Sequence, residues 1–274
     1  MNHLTNACID LLKEIRVKTP LIHNITNYVT VNDCANAILA IGASPIMADD
    51  IGEVEEIVSI SSALVINIGT LNQQTITSMI AAGKKANELH IPIVLDPVGA
   101  GASSLRNKTT QEILSQVKID VIRGNLSEIS FVAGLKSSTK GVDVSKEDEK
   151  NDAVDIAKLA ANKYSCVIGI TGEVDVISDG IRVAKISNGN KLLSKVTGTG
   201  CMTSSLVGSF CGVAKDHYTA AVVGIAAMGI AGEVAFLKAG AAGTGSFHIG
   251  IIDALSNMDS ILFKERAKID EIQY

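Results

Sequence analysis

Aromatic residues make up only 3% of this chain and tryptophan is absent, so rings are not what fills its interior. The hydrophobic share is still 47%, and 274 residues suffice to bury a large core of small aliphatic side chains. Helices packed closely on one another or on a sheet are expected from that composition. An excess of positive charge is missing too. The formal net charge is −5 and the 24 lysines and arginines are scattered, which leaves no basic face for nucleic acid and no polybasic membrane anchor. Cys8, Cys34, Cys166, Cys201 and Cys211 are odd in number and lack C-x-x-C spacing, which argues against disulfides and a zinc site. No repeat, linker or low-complexity tract divides the chain, so a single domain over residues 1–274 is expected. The first sixteen residues set Asp10, Lys13 and Glu14 into an apolar helical period, unlike a signal or transit sequence, and the expected location is the cytoplasm.

Two uncharged runs, 196–214 and 218–232, are long enough to raise the question of a membrane span. Both are rich in Gly, Ala, Ser and Thr, and Lys215-Asp216 separates them too closely for two crossings. They read as a buried helical hairpin. Ahead of it stands Val196-Thr197-Gly198-Thr199-Gly200-Cys201, two glycines and two threonines at a helix start. Unpaired N–H groups, the helix dipole and two hydroxyl donors make such a turn a nest for an anion, most often phosphate. A thiol in the first helical turn, as at Cys201, is expected to be more acidic than a free one. A tight turn into a core helix is the plain alternative.

Elsewhere short apolar runs alternate with helical periods. Strands are expected at 20–23, 44–47, 63–68, 92–95, 120–123 and 166–171, and helices at 31–41 and 72–90, the latter capped by Asn72. Another helix opens at Asn125, and a polar connection over 136–152 leads into one ending near 162. Residues 174–178 and 181–186, joined across Asp179-Gly180, read as a hairpin at the sheet's edge. Apolar strands separated by helices define an α/β fold with a mostly parallel, doubly wound sheet flanked by helices.

Ligands of such sheets bind beyond the carboxyl ends of the strands, where this chain sets Met47, Gly69-Thr70, Asp96, Arg123-Gly124-Asn125 and Thr171-Gly172. Asp96 follows four apolar residues, where a carboxylate is costly without a metal or hydrogen bonds, although Asp-Pro also starts turns. Asn125-x-x-Glu128 has capping-box spacing, and Glu128 is equally a ligand candidate. Arg123 suits either a phosphate or a surface carboxylate. His23, beside Asn24 and Asn27, is read as a satisfied, half-buried histidine.

Gly198-Thr199-Gly200-Cys201 resembles the glycine-rich motif of the ribokinase-like small-molecule kinases, and its ending in Cys rather than Asp resembles the hydroxyethylthiazole kinases. The stretches Leu21-Ile22-His23-Asn24-Ile25-Thr26-Asn27, Gly42-Ala43-Ser44-Pro45-Ile46-Met47, Leu95-Asp96-Pro97-Val98-Gly99 and Arg123-Gly124-Asn125-x-x-Glu128 carry the same resemblance in order. It implies transfer of phosphate from ATP to the alcohol of 4-methyl-5-(2-hydroxyethyl)thiazole, for thiamine salvage. It further implies a turn at Gly198, Thr199, Gly200 and Cys201 that stabilises the moving phosphoryl group. By the same resemblance, Asn27, Met47 and Gly198 line the thiazole pocket, Arg123 and Thr171 hold ATP, and Asp96 and Glu128 hold Mg2+. A homotrimer with sites between subunits is implied as well. Rivals of the same fold are kinases for hydroxymethylpyrimidine or pyridoxal and the ATP-dependent dehydratase of hydrated nicotinamide cofactors; a ligand sensor is the non-enzymatic rival. A Rossmann dehydrogenase fits poorly, because no G-x-G-x-x-G follows the first strand.

Overall fold

The run Ala63-Leu64-Val65-Ile66 is apolar at every position, as a strand covered on both faces requires. The computed structural model describes residues 3–135 and 146–272 and builds them around one nine-stranded sheet. The first half runs α1 (His3–Lys18), β1 (Leu21–Ile25), α2 (Val31–Ile41), β2 (Ser44–Ile46), α3 (Val54–Ser59), β3 (Ala63–Asn67), α4 (Gln73–Glu88) and β4 (Ile93–Asp96). Then come α5 (Ser104–Gln116), β5 (Val121–Asn125), α6 (Leu126–Ala133), α7 (Lys146–Tyr164), β6 (Val167–Thr171), β7 (Asp175–Ser178) and β8 (Val183–Ile186). The chain closes with α8 (Thr199–Cys211), α9 (His217–Ala239), α10 (Thr244–Ser256), α11 (Ser260–Arg266) and β9 (Ile269–Ile272). The polar connection expected over 136–152 lies outside the described residues as far as 145; from Lys146 the chain is helical.

Strand order is β2-β1-β3-β4-β5-β6-β7-β8-β9, parallel from β2 through β6 and antiparallel beyond. The side chains alternate. Ala63 and Val65 pack into a core shared with α1, α2, α8, α9 and α10, while Leu64 and Ile66 face a second core under α3 to α7. One expectation needs correction: the β7–β8 hairpin is not the edge, because β9 pairs with β8 and takes that position. Residues 269–272 set two isoleucines around two acids, too short and too charged for an apolar strand run.

The uncharged runs form α8 and α9, packed side by side. A Cβ at Gly224 would stand 2.8 Å from the Val207 backbone, so only glycine allows this approach. Among the described residues one helical stretch, His217–Ala242, is long and apolar enough to cross a membrane, yet 83% of its apolar window is buried inside the molecule. It is the central helix of the first core. Because α8 starts at the carboxyl ends of the parallel strands, its first turn faces the point where strand order reverses between β1 and β3.

Candidate active site

Asn67 and Asp96 close neighbouring strands in register, and Asn67 Nδ2 donates to Asp96 Oδ2 at 2.9 Å. Ser204, one turn into α8, donates to the same oxygen at 2.8 Å. Asn27, just beyond β1, donates to Asn67 Oδ1 at 3.1 Å and lies 3.2 Å from Cys201 Sγ, with Asn67 Nδ2 3.3 Å from that sulfur. Thr30 fixes Asn27 in turn, giving both its N–H and its hydroxyl to Asn27 Oδ1 at 3.1 Å. A continuous polar chain therefore spans the reversal point, and Cys201 rests on it.

Next along the sheet stands Arg123. Its Nη1 is 3.7 Å from Asp96 Oδ2, both side chains being nearly inaccessible, and its Nη2 donates to Thr171 Oγ1. Among the described residues, two buried polar atoms here have no partner, Asp96 Oδ1 and Arg123 Nε. Burial pushes the Asp96 carboxyl up to about 6, against the pull of Arg123 and the Ser204 hydrogen bond, and Glu128 adds to the rise. An orphaned carboxylate oxygen in such a place is costly unless a ligand completes it. Beyond Thr171, the buried Asp175 accepts the Gly172 N–H at 2.9 Å, and burial pushes its carboxyl up to about 7 against that bond and Arg123.

Glu128 realises the capping box: its Oε2 accepts the Asn125 N–H at 2.8 Å while Asn125 Oδ1 accepts the Glu128 N–H at 2.9 Å. Its Oε1 also takes the Gly99 N–H at 2.8 Å, tying the loop after β4 to the start of α6. Each oxygen keeps a lone pair for a further donor or a metal-bound water. Arg106 of α5 braces the neighbouring loops, its guanidinium donating to Ile68 O at 2.8 Å and Gly69 O at 2.7 Å.

Over these groups hangs the start of α8. Gly198 takes φ 88° at the N-cap and no side chain caps the helix, so its first-turn N–H groups remain free for a ligand. A Cβ at Gly200 would stand 2.9 Å from Arg123 Nη1, which places guanidinium and helix start against one another. Two expectations fail here. The Thr199 hydroxyl is not offered to a ligand but donates to Leu193 O at 3.2 Å. Cys201 is not acidified: burial, reinforced by the Asp96 charge, raises its pKa above the ordinary thiol value against the hydrogen bonds of Thr30, Asn27 and Asn67. A neutral thiol is the result.

The expected groups Asn27, Asp96, Arg123, Glu128, Thr171, Gly198, Gly200 and Cys201 thus gather at one end of the sheet. Met47 is half-buried just after the outermost strand β2. His23 is fully buried rather than half-buried and anchors the adjoining residue, its Nε2 standing 2.7 Å from Ala48 O. Sequence reasoning missed Asn67, Ser204, Asp175 and Arg106. Asn67 carried the same signal as Asp96, a polar residue ending an apolar strand.

A model of the hydroxyethylthiazole kinase family matches residues 12–260. The hydroxyethylthiazole kinase of Ruminiclostridium cellulolyticum is 63% identical over 273 residues, covering 99% of this chain and 100% of that protein. That of Clostridium beijerinckii is 62% identical over 274 residues, 99% of each. The structure of hydroxyethylthiazole kinase from Pyrococcus horikoshii aligns with a TM-score of 0.89 at 40% identity, over 98% of this chain and 100% of that one. A Staphylococcus aureus pyridoxal kinase in complex with AMP-PCP, at 16% identity and TM-score 0.58 over 77% and 86% of the two chains, shares the fold.

Proposed function

The chain belongs to the hydroxyethylthiazole kinase family, and from that premise we propose that its site moves the γ-phosphoryl group of ATP to the primary alcohol of 4-methyl-5-(2-hydroxyethyl)thiazole, for thiamine salvage in the cytoplasm. One observation carries the reading at the level of chemistry. An uncapped helix start, a guanidinium and a buried carboxylate oxygen without a partner converge on one place. Phosphoryl transfer asks for that combination: fixed donors, neutralised charge and exclusion of water, with little covalent work for the protein.

The N–H groups of Gly198, Thr199, Gly200 and Cys201 take up charge on the moving phosphoryl group. Arg123 and Thr171 hold the phosphates of ATP. Asp96 and Glu128 hold Mg2+ through water, a mode that suits an ion reluctant to shed its waters, and the unpartnered Asp96 Oδ1 fits that role. When bound, the ion screens the phosphate charge. Asn27, Met47 and Gly198 line the thiazole pocket, with Met47 offering a polarizable contact to the sulfur ring. Cys201, being neutral, positions the alcohol beside Asn27 instead of removing its proton, which leaves late to a phosphate oxygen.

The assembly is a homotrimer with sites between subunits. In support, Tyr28 and Val29, directly after Asn27, are 79% and 55% exposed, and β2 leaves that edge of the sheet open. The test of the reaction mixes the protein with magnesium, ATP and hydroxyethylthiazole, with hydroxymethylpyrimidine, pyridoxal and a hydrated nicotinamide cofactor in parallel. Thiazole-dependent ADP and phosphorylated thiazole are expected. Transfer only to another alcohol overturns the substrate, and ATP-dependent dehydration without transfer overturns the kinase.

A further inference from the structure

We propose that Asp175 is a positioning residue for the Arg123–Thr171 pair, one that sets the KM for the nucleotide and not for the alcohol. The inference rests on reading that pair as the ATP clamp.

Thr171 is the last residue of β6 and Asp175 the first of β7, and the pairing of Ile170 with Val176 sets the two at the open end of the antiparallel ladder. Only Gly172-Glu173-Val174 joins them. The Asp175 carboxylate closes this turn by accepting the Gly172 N–H at 2.9 Å. The backbone that carries the Thr171 side chain is held from there. The Thr171 hydroxyl itself accepts from Arg123 and reaches Gly124 O at 3.4 Å, so its direction depends on where the turn holds its backbone.

Closing a turn does not by itself call for a buried carboxylate. Asparagine or serine closes Asx-type turns at no cost in buried charge. At this position the charge has a counterpart, because Arg123 draws on Asp175 as it does on Asp96. The guanidinium attracts both buried acids, approaching Asp96 to 3.7 Å, and its Nη1 is held against Gly200 at the helix start. A phosphate arriving there meets a guanidinium already aimed and a hydroxyl already turned, which lowers the ordering cost of binding. Among the described residues the side-chain hydrogen bond of Asp175 goes to Gly172, while Asn27 and Cys201 belong to the chain through Asn67, so its hold is on the turn at Thr171.

Steady-state kinetics of the full chain with magnesium, ATP and hydroxyethylthiazole test this. For Asp175→Ala the KM for ATP rises about tenfold, the loss of one charge-assisted hydrogen bond, while kcat and the KM for thiazole stay within about twofold. Asp175→Asn keeps a side-chain oxygen for the Gly172 N–H and brings the KM for ATP back to within about threefold of the parent value. Arg123→Ala is the control on the clamp and raises the KM for ATP by more than about tenfold. Should Asp175→Ala fail to fold, Asp175→Leu, similar in shape and suited to a buried strand, replaces it under the same criteria. An unchanged KM for ATP in the Ala or Leu variant, or an equal rise in both KM values, overturns the positioning role and leaves the clamp intact. An unchanged KM for ATP in Arg123→Ala overturns clamp and inference together.

Discussion

Two arginines at opposite ends of the sheet keep different company. Arg182, in the β7–β8 turn, uses its whole guanidinium. Its Nε donates to Asp179 at 2.7 Å, its Nη1 and Nη2 to the two oxygens of Asp216 at 3.0 and 2.8 Å, and it stacks 4.1 Å above the Tyr218 ring. Arg123 is far more buried and far less satisfied, with an unpartnered Nε and a 3.7 Å approach to Asp96. If stability alone shaped these sites, the buried arginine would be the better paired, because unpaired charge costs most away from water. The inversion separates two uses of the same chemistry. At one end the bonding capacity is spent on joining the hairpin to the start of α9; at the other it is left open, as the proposed binding of ATP there requires.

The contrast is tested hardest at Asp96. Asp96→Asn is expected to lower kcat/KM by about a thousandfold while Tm holds or rises, since a buried, incompletely paired carboxylate has been removed. Unchanged turnover would remove Asp96 from the metal site and erase the distinction. Cys201→Ser should cost no more than about tenfold in kcat, because a neutral thiol that only positions the alcohol can be replaced by a hydroxyl. Complete loss in a folded Cys201→Ser would restore an obligatory base.

At the other end, Arg182→Ala should leave kcat unchanged and lower stability by roughly 1–2 kcal/mol, a few degrees in Tm, the partial exposure of the cluster limiting its worth. A matching loss of activity would mean that the two ends are not separate. The smallest effect is a pH dependence. With its carboxyl raised to about 7 by burial, Asp175 contributes full stability only below its unfolded pKa near 4. That contribution is lost as pH climbs through about 7, where the folded state must carry the charge. Asp175→Asn should therefore raise Tm at pH 8 relative to the parent and change it little at pH 4; a shift of the same size at both would exclude the titration.

Much of this was legible in the sequence where a local rule and the tertiary need agreed. The strands at 63–67, 93–96 and 167–171 are apolar up to their last residue because both faces are covered, and Asp96 stood out because it ended such a run. The capping box at Asn125 and Glu128 formed as its spacing required. What stayed hidden depended on partners distant in the chain. Ser204 looks like any hydroxyl in an uncharged helix until α8 is laid across β4, and Arg106 like any surface helix residue until the loops after β3 and β4 are folded beneath it. The Cys201 thiol was misjudged for a related reason: position at a helix end is visible in sequence, whereas burial beside Asp96 is not.

The close seam between α8 and α9 also bears on ancestry. A methyl group at Gly224 would collide with the Val207 backbone, so descendants of this chain have little freedom to vary at that point of the seam. Under the roles proposed above, drift in the acceptor enters instead through loop residues such as Asn27 and Met47. On that proposal, the helix that aims the Gly198 turn is insulated from that drift, and new acceptors can be explored without rebuilding the donor side.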